Sequence, residues 1–211
     1  MSNVSINTDS ALHYFKTTDP IMYRLLYHSL SHEKPVLVPQ PKKPAEYFGS
    51  LINSIISQQI STAAARSIQT RVHELLGELT PEMVIQTDFY TLKACGLSEK
   101  KTQYIKQNAE LWHEIPVQKF IHLSNQEIIT ELIKLYGIGR WTAEMFLIFS
   151  LARPDVFSYG DLGLMKSLYR HYNYKPHYVR KVQATVDSWS PHRTLASLTL
   201  WHTIDTDPVL L

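Results

Sequence analysis

Residues Leu132–Asp161, LIKLYGIGRWTAEMFLIFSLARPDVFSYGD, decide how this chain folds. Two glycines, Gly137 and Gly139, flank Ile138 and interrupt a helical pattern, so they predict a tight hairpin between two helices. The segment after the hairpin is apolar nearly all round, which predicts a buried helix. A single carboxylate, Asp161, follows after a loop. The stretch therefore predicts a hairpin, a core helix and an acidic residue in close succession.

Helical patterns continue on both sides of this stretch. Apolar residues between positions 51 and 60 recur at intervals of one and four residues, as an amphipathic helix requires. Periodicity and capping signals predict further helices at 62–76, from Thr80-Pro81, from Ser98, and at 125–135, 140–151, 161–172, 178–188 and 191–202. The proline-rich segment Glu33–Pro44 separates these from an N-terminal helix at roughly 20–30. Nothing in the pattern indicates a sheet, so the predicted fold class is all-α.

The composition is that of a globular chain. It has 211 residues, of which 44% are hydrophobic and 19% charged, enough for one large domain or two small ones. The net charge is only +2, so a nucleic-acid-binding surface would depend on locally placed charge and on backbone amides. The single cysteine, Cys95, excludes an intramolecular disulfide and a four-cysteine zinc or iron–sulfur site, and it is expected to be buried.

The sequence shows no sign of membrane insertion or secretion. No segment contains about eighteen uninterrupted apolar residues, so no membrane span is expected. The N-terminus lacks a basic region followed by an apolar stretch, which a secretory signal would have. These features predict a cytoplasmic protein.

The glycine hairpin has the chemistry to bind an anion. Glycine permits close approach of another backbone, and the helix that follows begins with unpaired N–H groups at the positive end of its dipole. An ordinary corner between two helices would carry the same pair of glycines, and this alternative stays open for the pair alone. The longer pattern from Leu132 to Ala143, LxxLxGIGRxTA, is more specific.

Asp161, Gln58 and Gln59 are polar candidates. Asp161 is predicted at a helix N-terminus, where an ionised carboxylate could stabilise a developing cation or orient a water. Taken alone, a plain N-cap explains this aspartate more simply. Gln58 and Gln59 end an otherwise apolar helix, so their amides could enter a stack of DNA bases, or they could simply face solvent.

Four aromatic residues form a further candidate set. They are Trp141, Trp201, Tyr159 and Tyr47. An alkylated purine is electron-poor and often cationic, so the face of an aromatic ring attracts it. Packing in a core explains any one of these residues more simply.

Four segments together resemble the helix-hairpin-helix DNA glycosylase superfamily and, within it, the 3-methyladenine DNA glycosylase II group. They read LINSIISQQIST, ACGLSEKKTQYI, LIKLYGIGRWTAEMFLIFSLARPDVFSYGDLGL and WSPHRTLASLTLW, in the order of the family. The resemblance implies an all-α fold of two lobes with the active site in the cleft between them. Residues 1–44 plus 160–211 would form one lobe, and residues 45–159 the other.

The resemblance implies a monofunctional DNA glycosylase of base excision repair. Such an enzyme flips an alkylated purine, 3-methyladenine or 7-methylguanine, out of the duplex and hydrolyses its N-glycosidic bond. Bifunctional relatives carry a Schiff-base lysine where this chain has Trp141, so no strand cleavage is expected. A glycosylase of the same fold for a deaminated or oxidised base, and a non-enzymatic helix-hairpin-helix DNA-binding protein, are the alternatives.

The resemblance also implies roles for individual residues. Asp161 matches the catalytic aspartate. The residues expected around the base are Trp141, Trp201, Tyr159 and Tyr47. Those expected to fill the gap left by the flipped nucleotide are Gln59 and Gln58. Those expected to bind a phosphate on the 3′ side of the lesion are Gly137, Gly139, Arg140 and Thr142.

The expected ligands follow from the same resemblance. Main-chain carbonyls at Ile133, Leu135 and Ile138 match a site for a monovalent cation, Na⁺ or K⁺. No required cofactor and no iron–sulfur cluster is expected. The expected partner is double-stranded DNA containing alkylated bases, with no membrane, and the expected state is a monomer.

Overall fold

The computed structural model describes residues 6–206, which contain twelve α-helices, three short 3₁₀ helices and no strand. The α-helices are α1 (Thr8–Thr18), α2 (Pro20–Ser31), α3 (Tyr47–Ser57), α4 (Thr62–Leu76), α5 (Pro81–Gln86), α6 (Phe89–Lys93), α7 (Glu99–Leu111), α8 (Asn125–Leu132), α9 (Arg140–Phe149), α10 (Leu162–His171), α11 (Val179–Ser188) and α12 (Arg193–Thr206). The all-α prediction is confirmed. None of the helices in these residues combines the length and the apolar character needed to span a bilayer. Residues 1–5 and 207–211, which the predicted lobes included, lie outside the described part of the chain.

Most helices begin where the capping residues predict. Ser61, Thr80 and Ser98 each accept a hydrogen bond from a first-turn amide. Ser124 and Glu127 form a reciprocal capping box at the start of α8. Because caps and periodicity are local in sequence, these boundaries follow from a few neighbouring residues.

Other boundaries differ from the prediction. Helix α8 ends at Leu132 and not near Leu135, because the Leu135 N–H donates to Leu132 and the Ile138 N–H donates to Leu135 in the turns of the hairpin. Helix α1 was not predicted, although Asn7 caps it by accepting a hydrogen bond from the Ser10 amide. Helix α12 runs to Thr206, beyond the predicted end at residue 202.

The described residues form two compact units. We call Pro41–Phe146 the hairpin unit, and residues 6–40 with 147–206 the aspartate unit. The predicted lobes divide the chain after residues 44 and 159, whereas these two units divide it after residues 40 and 146. The second boundary falls inside α9, between Phe146 and Leu147, instead of in a loop.

The core of the hairpin unit is built on α3. Its buried residues are Tyr47, Phe48, Leu51, Ile52, Ile55 and Ile56. Helices α4 and α7 both contact α3, and they bury Val72 and Ile105. Cys95 is buried in the same unit, as predicted. Packing around α3 leaves its C-terminal end beside the hairpin residues, as the hydrogen bonds below show.

The aspartate unit contains a buried polar junction at Asp19. As the N-cap of α2, Asp19 accepts hydrogen bonds through Oδ1 from the amides of Ile21 (3.1 Å) and Met22 (3.0 Å). Its Oδ2 accepts from the Tyr172 hydroxyl at 2.6 Å and from Trp189 Nε1 at 2.7 Å. Burial of the Tyr172 hydroxyl and its hydrogen bond to Asp19 raise the pKa of this tyrosine. One carboxylate thus joins α2 to two side chains more than 150 positions later in the chain.

We expect Asp19→Asn to destabilise the protein. The new amide NH₂ would face a donor, Tyr172 or Trp189, and leave it without a partner, so the free energy of unfolding should fall by about 2 kcal/mol. Urea unfolding followed by circular dichroism measures this change. Asp9→Asn, at an exposed acid in the first turn of α1, is the control and should change it by less than about 0.5 kcal/mol. Equal effects of the two substitutions would contradict the role of the junction.

Candidate functional site

The segment between α8 and α9 forms the predicted hairpin. Gly137 has φ +74°, and a Cβ at this position would lie 2.6 Å from Cδ2 of Tyr104, so both the conformation and the close approach require glycine. Leu135 and Ile138 are buried, and the Ile138 amide donates to the Leu135 carbonyl at 3.2 Å. The two apolar side chains therefore anchor the turn in the core of the hairpin unit.

A buried asparagine on α7 holds the main chain of the hairpin. Asn108 is 1% exposed, its Oδ1 accepts from the Tyr136 amide at 2.7 Å, and its Nδ2 donates to the Tyr136 carbonyl at 2.9 Å. A side-chain amide that satisfies both backbone groups of one residue fixes the orientation of that residue. Asn108 was not among the predicted site residues. The available signal was a polar residue on the apolar face of α7 that also carries Ile105 and Ala109.

The N-terminus of α9 presents backbone N–H groups at the end of the hairpin. The Gly139 carbonyl accepts from the Ala143 amide at 3.0 Å, and no heavy atom lies within 4 Å of where a Gly139 Cβ would be. The first N–H groups of a helix have no intrahelical partner, and the helix dipole favours an anion there. The Thr142 side chain is buried, so among its groups the backbone amide is the one suited to such a contact.

Arg140 is paired with other side chains. Its Nε donates to Glu144 Oε1 at 2.9 Å, and its Nη1 donates to Gln126 Oε1 at 3.3 Å. Glu144 is 5% exposed, so its carboxylate needs this partner. Because Glu144 compensates the guanidinium charge, an anion at the hairpin would depend chiefly on main-chain N–H groups.

Gln58 and Gln59 differ in their surroundings. Gln58 is half-buried, and its Nε2 donates to the Gly137 carbonyl at 2.9 Å, which ties the end of α3 to the hairpin. Gln59 is exposed and has φ +58°, in the left-handed region that side chains rarely adopt. Of the two, Gln59 therefore presents its side chain to solvent, a distinction that the sequence pattern does not make.

A concave pocket of about 460 Å³ lies beside this loop in the hairpin unit. Trp141, which is 47% exposed, and Met145 line it from α9. Polar side chains of α3, among them Asn53 and Ser54, line it as well. An aromatic face together with hydrogen-bonding groups suits a planar heterocycle with polar edges.

Tyr47 lies in the core of the hairpin unit. It is buried, with its ring edge-to-face against Phe146 at 5.2 Å between centroids and stacked near Phe120 at 6.1 Å. The structure thus gives it packing contacts, in contrast to the exposed indole of Trp141.

Asp161 caps α10 in the aspartate unit. Its Oδ1 accepts from the Leu164 amide at 2.8 Å and from Trp201 Nε1 at 3.1 Å. The residue is 9% exposed. A Cβ on Gly163 would lie 3.2 Å from the same oxygen, so glycine keeps this space open. The backbone and the indole together fix the orientation of the carboxylate.

Trp201 stacks on Phe149 in the same unit. The ring centroids are 5.7 Å apart with 29° between the planes, and Phe149 is 44% exposed. Phe149 was not among the predicted site residues. Positions 141, 145 and 149 recur every four residues along α9, and this spacing was the signal that could have found it.

Tyr159 is exposed and lies in a different setting from Trp201. Its ring is edge-to-face with Phe157 at 5.0 Å between centroids. It lines a pocket of about 380 Å³ together with Met165, Tyr169, Val179, Val182 and Gln183. Partial burial and the nearby Asp187 carboxylate raise the pKa of Tyr159.

The three carbonyls expected to hold a cation all belong to the segment 133–138. The Leu135 carbonyl accepts the Ile138 amide, which leaves its second lone pair for a ligand. In residues 6–206, no group of three or more His, Cys, Asp and Glu side chains has the geometry of a metal site. A cation at the hairpin would therefore be held by main-chain oxygens.

This chain is similar in sequence and in structure to several known proteins. DNA-3-methyladenine glycosylase 1 of Schizosaccharomyces pombe is 37% identical over 172 residues, 78% of this chain and 74% of that protein. A crystal structure of DNA-3-methyladenine glycosidase from Bacillus halodurans matches with a TM-score of 0.80 at 30% identity, covering 93% of this chain and 89% of the other. The Schizosaccharomyces pombe 3-methyladenine DNA glycosylase in complex with abasic DNA matches with a TM-score of 0.75 at 30% identity, covering 93% and 97%.

The family match includes most of the hairpin unit and Asp161. Residues 52–192 match the family described as the HhH-GPD superfamily base excision DNA repair protein. This range is more than half of the chain and contains both the hairpin and the carboxylate. The chain therefore belongs to the HhH-GPD superfamily of base excision DNA repair proteins.

Proposed function

We propose that this protein is a monofunctional DNA glycosylase that removes alkylated purines, 3-methyladenine and 7-methylguanine, from duplex DNA. The observation that carries the proposal is the buried Asp161 carboxylate, oriented by the Leu164 amide and the Trp201 indole. The names of the relatives, DNA-3-methyladenine glycosylases from several organisms, support the substrate class. The reaction is hydrolysis of the N-glycosidic bond.

The first task of such an enzyme is to expose the damaged base. A base inside a duplex is unreachable, and extruding it costs a few kcal/mol. In our proposal the exposed Gln59 fills the gap in the stack, assisted by Gln58. Amides at Gly137, Gly139, Arg140 and Thr142 would hold a phosphate on the 3′ side of the lesion. These contacts offset the cost of extrusion.

The aromatic residues would recognise the extruded base. In the hairpin unit, Trp141 presents an exposed indole face in the pocket that Met145 and the polar side chains of α3 also line. In the aspartate unit, Trp201 offers the ring that stacks on Phe149. An alkylated purine carries positive charge, so the electron-rich faces of these rings attract it. We propose Tyr159 and Tyr47 as weaker contributors, Tyr47 through packing.

The chemistry then depends on charge. A purine alkylated at N3 or N7 departs as a neutral base, so it needs little protonation by a general acid. As the bond to the sugar breaks, the sugar becomes oxocarbenium-like, and the Asp161 carboxylate stabilises this cation while water adds. The Trp201 N–H holds the carboxylate in one orientation.

Trp141 argues against a lyase step. An indole ring cannot form the Schiff base that precedes strand cleavage in bifunctional glycosylases. Hydrolysis would therefore leave an abasic site in an intact strand.

The proposed ligands and state complete this function. The partner is duplex DNA with alkylated bases, and the protein would act as a monomer in the cytoplasm. The carbonyls of Ile133, Leu135 and Ile138 would hold Na⁺ or K⁺ and stiffen the hairpin, with no role in bond cleavage. No further cofactor is needed for hydrolysis.

The polar wall of the pocket favours a second candidate substrate. Asn53 and Ser54 could hydrogen-bond the edge of a deaminated purine, which is neutral and offers donors and acceptors. A panel of duplexes, each with one lesion, distinguishes the two substrates by the base that is released.

We expect Asp161→Asn to lower the rate of base release from methylated DNA by at least about a hundredfold, because the charge that stabilises the sugar cation is lost. Binding to abasic duplex should remain within about threefold, since phosphate contacts dominate affinity. Single-turnover release measured by chromatography tests the rate. Asp88→Asn is a matched control, because Asp88 is also an N-cap and accepts the Thr91 amide. Full activity of Asp161→Asn would refute the assignment.

We expect the purified protein to leave abasic sites without nicking the strand. A methylated duplex should break only after hot alkali, and borohydride should trap no covalent protein–DNA adduct, because Trp141 provides no amine. A bifunctional glycosylase serves as the positive control for both assays. Strand breaks without alkali would contradict a monofunctional enzyme.

We expect Gly139→Ala to weaken DNA binding without destabilising the fold. The added Cβ meets no protein atom within 4 Å, but it would intrude where the phosphate is proposed to lie. The Kd for abasic duplex should rise about five- to tenfold, the loss of about one hydrogen bond to a phosphate. Fluorescence anisotropy measures the Kd, and thermal unfolding verifies the fold. Unchanged affinity would place the phosphate elsewhere.

A further inference from the structure

Lys101 on α7 caps the end of α3. Its Nζ donates to the carbonyls of Ile56 and Gln58, both at 2.7 Å. The last carbonyls of a helix lack intrahelical partners, and an ammonium satisfies them while it interacts favourably with the negative end of the dipole. Partial burial lowers the pKa of this lysine from its ordinary value. A partly buried ammonium thus binds two carbonyls at the end of α3.

The residue that follows this cap has a strained backbone. Gln59 has φ +58°, and such a conformation persists in a residue other than glycine only where its surroundings enforce it. Lys101 holds the carbonyl of the peptide that joins Gln58 to Gln59. The Gln58 side chain donates to the Gly137 carbonyl of the hairpin at 2.9 Å. Gln58 is therefore held at both its carbonyl and its side chain. These two contacts fix the peptide group that precedes Gln59.

We propose that Lys101 is a positioning residue that holds Gln59 in the conformation from which its side chain enters the DNA stack. Gln58 links this loop to the hairpin, so insertion of Gln59 and capture of the phosphate occur as one event. The inference rests on the proposed role of Gln59 in filling the gap. Lys101 itself touches neither DNA nor the reacting atoms in this scheme.

The same helix provides a matched control. Lys106 Nζ donates to the carbonyls of Val84, Ile85 and Thr87 at 2.9, 3.0 and 2.8 Å, and so caps the end of α5. Both lysines lie on α7, and both use a partly buried ammonium to cap another helix. They differ because no residue at the end of α5 is proposed to contact DNA.

The test measures insertion directly and does not require catalysis. The probe is a duplex with a tetrahydrofuran abasic-site analogue and 2-aminopurine opposite it, whose fluorescence rises when its stacking is disrupted. Lys101→Met keeps the length of the side chain but removes its donors, so we expect the Kd to rise at least about tenfold and the fluorescence rise to be lost. Lys106→Met should stay within about threefold of wild type in both readouts.

A double-mutant cycle separates positioning from a general loss of stability. If Lys101 acts through Gln59, then Gln59→Ala removes what Lys101→Met can disturb, and the double variant should bind no more weakly than Gln59→Ala alone. Lys101→Arg retains donors for both carbonyls and should restore affinity and fluorescence to within about threefold of wild type. Urea unfolding of all variants compares the free energy of unfolding that each lost cap costs. If Lys101→Met does not fold, Lys101→Gln, which keeps one donor group, replaces it.

The outcomes are distinct. Equal losses in Lys101→Met and Lys106→Met, or losses that multiply in the double variant, would overturn the role of Lys101. Wild-type protein that binds the probe tightly without a fluorescence rise would overturn it as well. Failure of wild type to release a methylated base, with a normal fluorescence rise on the probe, would refute the proposed reaction and leave the role of Lys101 intact.

Discussion

The hydrogen bonds that hold the hairpin main chain are the constraint on which the rest of the proposed site depends. Backbone N–H groups bind an anion only if their directions are fixed beforehand, because an amide that must reorient loses its advantage over water. Asn108 supplies that constraint at Tyr136, and Gln58 supplies it at Gly137. Since Asn108 and Lys101 both belong to α7, this one helix orients the hairpin and the end of α3 together.

The Asp161 carboxylate in the aspartate unit is likewise oriented by hydrogen bonds from its own unit. A residue that would be an ordinary N-cap receives a second donor from the Trp201 indole, and the indole is in turn stacked on Phe149. The negative charge is thus held in one direction by groups that do not compete for the role of nucleophile. In the proposed reaction, a fixed charge would suffice for catalysis, because an alkylated purine is already a good leaving group.

Local sequence signals predicted most of the helices and the position of the hairpin. Capping residues such as Ser61 and the Ser124–Glu127 pair act over three or four positions, so a single sequence displays them. The partners of Asn108 and Lys101 could not be predicted, because they lie 28 and 43 to 45 positions away along the chain, although Asn108 itself stands out as a polar residue on the apolar face of α7.

The ion pair of Arg140 with Glu144 would affect how the proposed glycosylase searches DNA. A phosphate contact made by amides and by a guanidinium paired with a carboxylate releases few counterions, so this contact at the hairpin would add little to the salt dependence of binding. Together with a net charge of only +2, this implies short residence on intact sequence. The protein would then scan DNA by frequent dissociation and rebinding, and it would stay bound longer at a lesion than on intact sequence.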